Sequence, residues 1–168
     1  MNLYLKFIDR LNTTIKYIVS GMLLVLAILV FLQVVTRFVI NVPLSWTEEI
    51  ARYLMVYIVF LGSGLAMRAQ QHIAIDFLLD VISAQNKKRL TYFILWVCVA
   101  FFSLLVFFGT HLTLLVMSQS TPTLQYSMAF AYAAVPIGSS VMLLNAIAVL
   151  IDLKKERVVE AETVGDLK

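Results

Sequence analysis

Charged residues are scarce in this sequence, and their scarcity decides the class of protein. Asp, Glu, Lys and Arg make up 14% of the 168 residues, whereas hydrophobic residues make up 61%. A soluble domain carries about 25% charged and about 45–50% apolar residues. The composition therefore predicts an integral membrane protein, and it leaves no basic patch that would bind nucleic acid.

Cysteine is almost absent, and so are the residue groupings that carry catalysis. Cys98 is the single cysteine, so an internal disulfide is excluded. The sequence contains no Ser-His-Asp set, no cluster with metal-ligand spacing and no phosphate-binding loop. We therefore expect neither an enzyme nor a bound cofactor or metal. A cleavable signal pattern is also missing, because Arg37 follows the first apolar run, so we expect that run to stay in the protein.

What the sequence does contain is four long apolar runs. A membrane-spanning helix needs about 20 such residues. The runs predict an all-α integral membrane domain over residues 1–153. Its four transmembrane helices are expected at about residues 17–38, 46–67, 90–117 and 128–153. Residues 1–16 are predicted to form an amphipathic lead-in at the membrane surface, and residues 154–168 a charged cytoplasmic tail that frays.

Between the second and third runs, polar residues recur at helical spacing. The polar stripe consists of His72, Asp76, Asp80, Ser83 and Lys87. Spacings of three and four place these side chains on one helix face. The segment is too short to cross the membrane, so we predict an interfacial helix at about residues 72–87.

The distribution of basic residues predicts the orientation in the membrane. Of the 13 Lys and Arg residues, all except Arg37 and Arg52 fall on one side of the predicted bundle. The positive-inside rule then places both termini in the cytoplasm.

Charged and aromatic residues gather on the opposite, periplasmic side. This outer cluster consists of Arg37, Trp46, Glu48, Glu49 and Arg52. Ser45 and Glu48 have capping-box spacing, and Glu48 and Arg52 share a helix face. Two interpretations remain open, namely contact with a partner protein, or helix capping with interfacial anchoring. Ion coupling by the acids is a third, which their position at a helix start disfavours.

Small and polar residues inside the second and fourth runs indicate close helix packing. The candidate packing residues are Gly62, Gly64, Ala66, Pro136, Gly138 and Asn145. Small residues let membrane helices approach each other, and an amide inside a span usually bonds to another helix. Pro136 also predicts a kink in the fourth span.

One stretch of the sequence resembles a known family. The string SWTEEIARYLMVYIVFLGSGLAMRAQQHIAIDFL, with its Trp-x-Glu-Glu-x-x-Arg-Tyr core, resembles the small membrane subunit (DctQ/SiaQ type) of tripartite ATP-independent periplasmic (TRAP) transporters. The resemblance extends over roughly Gln33 to Asn145. It implies a subunit of the bacterial inner membrane that lacks the substrate site.

The resemblance also implies partners and a transport activity. The partners would be a large membrane transport subunit (DctM/SiaM type) and a periplasmic substrate-binding protein. The complex would take up an organic anion, such as sialic acid or a C4-dicarboxylate, by secondary transport coupled to sodium.

Two other classes of membrane protein fit the sequence less well. A membrane anchor of a respiratory haem or quinone enzyme would need facing histidines, but His72 and His111 fall near opposite membrane surfaces. A small multidrug exporter would need an acid in its first span, and residues 17–38 contain none. The spans contain few ionisable residues along their middles, which favours a supporting subunit over an independent carrier.

Overall fold

The structure is a computed structural model that describes residues 3–42, 44–69 and 84–165, with side chains over 3–42, 44–69 and 89–155. The described residues form helices joined by short connections, and they contain no strand longer than an isolated bridge. The helices are α1 (Leu3–Phe38), α2 (Ser45–Arg68), α3 (Ala84–Leu115), α4 (Ala129–Tyr132) and α5 (Ala134–Gly165). Most of the predicted interfacial helix at 72–87 lies outside the described residues.

Four segments are long and apolar enough to cross a membrane. They are Leu3–Phe38, Ser45–Arg68, Arg89–Leu115 and Ala129–Lys155. This finding confirms the predicted all-α chain with four spans.

The two ends of the chain differ from the prediction. Residues 3–16 are the first turns of α1 and not a separate lead-in, because Leu5 and Ile8 are buried against Ala148 of α5. The tail does not fray at Lys154, since α5 continues to Gly165. Its Lys, Glu and Ala residues favour helix, and Gly165 is the first helix-breaking residue after Lys154.

Helix α5 is the centre of the bundle. It packs against both α2 and α3, and α1 packs along α2. Half of the α5 span is buried inside the chain, against 6% of the α3 span. All three clusters of buried apolar side chains contain residues of α5, including Val141, Val149 and Ala148.

The predicted kink at Pro136 lies close to the boundary between α4 and α5, at Ala133. Ala133 keeps helical dihedral angles, with φ −61° and ψ −20°, and its N–H donates to Ala129 O at 2.8 Å, so the two helices follow each other along one path. Proline has no N–H, so it cannot donate to the carbonyl of Tyr132 four residues earlier. Beyond Ala133 the helical pattern continues, because Ile137 N–H donates to Ala133 O at 3.1 Å. Pro136 lies against Gly109 of α3, where an added Cβ would lie 3.2 Å from Pro136 Cδ.

Two of the predicted packing glycines lie where α2 and α5 meet closely. A Cβ on Gly64 would lie 2.7 Å from Val141 Cγ1, and a Cβ on Gly138 would lie 2.9 Å from the carbonyl carbon of Phe60. Gly62 differs, because a Cβ there would have nothing within 4 Å. Residues two apart point to nearly opposite sides of a helix, so Gly62 and the partly buried Ala66 lie away from the contact made by Gly64.

Candidate functional site

The outer cluster lies where α1 ends and α2 begins. The connection turns at Asn41, whose φ of 57° is left-handed and is tolerated best by Gly and Asn. Leu44 is the N-cap of α2 and makes no side-chain capping bond. The predicted capping box is therefore wrong, because Ser45 is already inside the helix. Thr47 instead donates its hydroxyl to Leu44 O at 2.7 Å.

Glu49 is the buried member of the cluster, with 6% of its surface exposed. Its Oε2 accepts hydrogen bonds from the backbone N–H groups of Thr123 at 2.8 Å and Leu124 at 3.3 Å. Its Oε1 accepts one from the Tyr53 hydroxyl at 3.2 Å. Hydrogen bonds to a charged acceptor are about twice as strong as neutral ones. Glu49 therefore ties the start of α2 to the connection between α3 and α4.

That connection, residues 116–128, is called the α3–α4 loop. It is closed by backbone hydrogen bonds from Thr121 N–H to Tyr126 O and from Met128 N–H to Gln119 O, both at 2.8 Å. The ring of Tyr126 packs edge-on against Tyr53, with centroids 6.2 Å apart. Burial, together with the nearby Glu49 carboxylate, raises the pKa of Tyr126. The loop is thus an ordered surface, and residues 122–125 at its tip are exposed.

The other four members of the outer cluster, Arg37, Trp46, Glu48 and Arg52, are exposed. Glu48 and Arg52 lie four residues apart in α2 but make no ion pair with each other. An exposed pair gains little in water and loses side-chain freedom, which accounts for its absence.

Arg37 and Glu48 face a small cleft between the end of α1 and the start of α2. The cleft has a volume of about 120 Å³ and is lined by Gln33, Val34, Arg37, Phe38, Leu44 and Glu48. Neither charged side chain has an ion-pair partner among the described residues. The guanidinium of Arg37 lies 6.0 Å from the centre of the Phe38 ring.

At the opposite end of the bundle, three helices meet at Arg68. Its guanidinium pairs with Asp9 of α1 at 3.0 Å and with Asp152 of α5. The sequence indicated only that Arg68 marks the end of the second span. The signal that could have predicted these ion pairs was an acid at the same end of each of two other spans, namely Asp9 and Asp152.

A second polar connection joins the same three helices inside the bundle. Asn145 donates to Asn12 Oδ1 at 2.9 Å and to Gly64 O at 2.8 Å, and it accepts from Asn12 Nδ2 at 2.7 Å. Asn145 was a predicted packing residue, whereas Asn12 was missed. Asn12 lies four residues from buried Ile8, so its place on the apolar face of α1 was the signal that could have found it.

The structure offers no metal centre in the residues that it describes. Over 3–42, 44–69 and 84–165, no three His, Cys, Asp or Glu side chains are grouped to hold an ion. His111 is exposed near the end of α3, and His72 lies outside the described ranges.

Comparison with known proteins gives the family. The family model described as "Tripartite ATP-independent periplasmic transporters, DctQ component" matches residues 26–155. The chain belongs to this family. It is accordingly a transport component and not an enzyme, and its four apolar spans fit a multi-pass protein of the inner membrane.

Individual relatives agree with this assignment. A Haemophilus influenzae protein named as a TRAP transporter small permease is 39% identical over 70 residues, covering 42% of this chain and 44% of the relative. The sialic acid TRAP transporter small permease protein SiaQ of Vibrio cholerae is 33% identical over 89 residues, covering 52% and 50%. The sialic acid TRAP transporter permease protein SiaT of Haemophilus influenzae is 30% identical over 101 residues, covering 58% and 16%. These matches span half or less of each relative.

Proposed function

We propose that this protein is the small, non-catalytic membrane subunit of a TRAP transporter. It supports a large transport subunit in sodium-coupled, secondary uptake of an organic anion that a periplasmic binding protein delivers. Sialic acid is the favoured substrate, because two relatives carry it in their names. A C4-dicarboxylate is the alternative.

The observation that carries the proposal is the absence of charge along the spans of a transporter-family chain. Residues 17–36, 53–67, 90–117 and 128–151 contain no Asp, Glu, Lys or Arg. Carriers of anions and coupling ions place charges or broken helices near the middle of the membrane. The nearest feature is the backbone hydrogen bond that Pro136 cannot donate, and no charge accompanies it. The substrate site therefore belongs to another subunit.

The match to SiaT supports a large membrane partner. This chain resembles 16% of that relative, so more than four-fifths of SiaT lies outside the match. A chain that resembles a minor part of a permease is expected to work beside a second, larger part.

The orientation proposed from the sequence fits the geometry. The ion pairs of Arg68 hold the first turns of α1, the end of α2 and the late part of α5 at one end of the bundle. The described basic residues other than Arg37 and Arg52 belong to this end or to the half of α1 that leads from it. With this end in the cytoplasm, the α3–α4 loop and Arg52 face the periplasm, where a soluble binding protein would land. Glu49 then acts indirectly, by holding the loop in place.

Reconstitution into liposomes tests the function. The small subunit, the large subunit and the pair are each supplied with binding protein, an inward sodium gradient and radiolabelled sialic acid or succinate. The pair should take up one of these anions, and the small subunit alone should take up neither. Uptake by the small subunit alone at the rate of the pair would contradict the supporting role, as would full activity of the large subunit alone.

A further inference from the structure

The cleft between α1 and α2 holds two opposite charges that form no ion pair within the described residues. Arg37 lines it from α1 and Glu48 lines it from α2. Neither makes an ion pair with the other or with another described residue. Glu49, the neighbour of Glu48, has its carboxylate fully engaged by Tyr53 and the α3–α4 loop. The cleft thus presents one free cation and one free anion to a ligand.

A cleft at the ends of two membrane spans is expected at the depth of lipid headgroups. It is formed by the last turn of one span and the first turn of the next. The exposed Trp46 begins α2 beside it, and tryptophan in membrane proteins is enriched at the interface. Charged side chains at this depth meet phosphate and amine groups as well as water.

An apolar track leads from the cleft toward the middle of the membrane. Phe38, Val34 and Phe31 follow each other at spacings of four and three residues, so they share one face of α1. Their exposed fractions are 73%, 51% and 71%. Val34 and Phe38 also line the cleft, so the polar pocket and the apolar track are continuous. This arrangement fits a molecule with a charged head and a hydrocarbon chain.

We infer that this cleft binds a zwitterionic phospholipid with a primary amine, of the phosphatidylethanolamine type. Arg37 takes the phosphate, because a guanidinium presents paired donors that match phosphate oxygens. Glu48 takes the ammonium group, whose three N–H donors it can accept. A quaternary choline head has the same net charge but no N–H donor, so Glu48 distinguishes the two heads. One acyl chain lies along Phe38, Val34 and Phe31.

Native mass spectrometry of the full chain tests this inference. The protein is exchanged into micelles that contain equal amounts of phosphatidylethanolamine, phosphatidylcholine and phosphatidylglycerol with identical acyl chains. We expect the ethanolamine lipid to be retained about five- to tenfold more than the choline lipid, which is the factor that one ordinary net hydrogen bond provides at an exposed site. Glu48→Leu removes both acceptor oxygens and should equalise these two lipids, and Arg37→Gln should lower retention of all three.

Arg52→Gln is the matched control, because Arg52 is an exposed cation at the same membrane surface but does not line the cleft. It should keep the wild-type preference. Equal retention of ethanolamine and choline lipids by the wild type would overturn the inference, as would loss of the preference in Arg52→Gln. Displacement of the lipid by millimolar free phosphoethanolamine would also overturn it, and would assign the cleft to a soluble ligand. A different result would assign the cleft to a protein contact and would also overturn the inference. In that case no lipid is selected, and Arg37 and Glu48 become protected from covalent side-chain labelling when the large subunit is added.

Discussion

Replacement of Asn145 by alanine should cost more stability than any other removal of a single polar side chain from the middle of this bundle. Asn145 is 1% exposed and makes three hydrogen bonds, two to Asn12 and one to Gly64 O. Both of its N–H donors are used, and each ties α5 to a different helix. Loss of the amide therefore loosens two helix contacts at once and leaves Asn12 without its partner.

The size of the effect follows from the number of bonds. Hydrogen bonds between membrane helices contribute on average about 0.6 kcal/mol each, and at most about 1.7 kcal/mol. Asn145→Ala removes three bonds, so we expect a loss of about 2 kcal/mol in the free energy of unfolding. Asn12→Ala removes only two, so we expect about 1 kcal/mol. Because the two side chains share these bonds, the double variant should lose about 2 kcal/mol and not the total of both.

Steric trapping or reversible unfolding in mixed micelles measures these differences. Ser139→Ala is the matched control, since Ser139 is fully buried on the same helix but its hydroxyl has no hydrogen-bond partner among the described residues. It should cost less than about 0.5 kcal/mol, because no bond is lost. The reasoning fails if Asn145→Ala costs no more than Ser139→Ala, or if the Asn12 and Asn145 variants are additive.

Three further predictions concern packing, docking and orientation. Gly138→Ala should cost about 1–3 kcal/mol, because its Cβ would push α5 away from Phe60, whereas Gly62→Ala should be neutral or stabilising in the same unfolding assay. Arg52→Glu should weaken the apparent affinity of the complex for its binding protein at low salt and less at high salt, while Lys155→Glu at the other end should not. Wild-type affinity of the Arg52 variant at low salt would exclude that contact, and failure to assemble would place Arg52 against the large subunit. In a Cys98→Ala background, Thr123→Cys should react with a membrane-impermeant thiol reagent in intact cells and Lys155→Cys should not; the reverse pattern would invert the proposed orientation.

The four spans were predictable because apolar length is a local property of the sequence. The first turns of α1 were misassigned for a related reason. Charged residues such as Asp9 made residues 1–16 look amphipathic. Nothing nearby in the sequence shows that Arg68 pairs with Asp9, or that Asn145 bonds to Asn12, across the bundle. Glu49 presents the same difficulty. An acid in the first turns of a helix is expected to interact favourably with the helix dipole. Glu49 Oε2 instead accepts a hydrogen bond from Thr123 N–H, 74 residues further along the chain.

Several polar groups among the described residues hold the fold of the chain together. Asn12 with Asn145 joins three helices inside the bundle, Arg68 joins them at one end, and Glu49 fixes the α3–α4 loop at the other. A protein that moves a substrate must make and break polar contacts during its cycle. The contacts of Asn145, Arg68 and Glu49 instead join helices and a loop of this chain to each other. Arg37, Glu48 and Arg52 form no ion pair within the described residues, and they lie at the membrane surface opposite to Arg68. We therefore expect the chain to act as a fixed body that presents this surface to lipid and protein, while the movement that carries the substrate takes place in its partner.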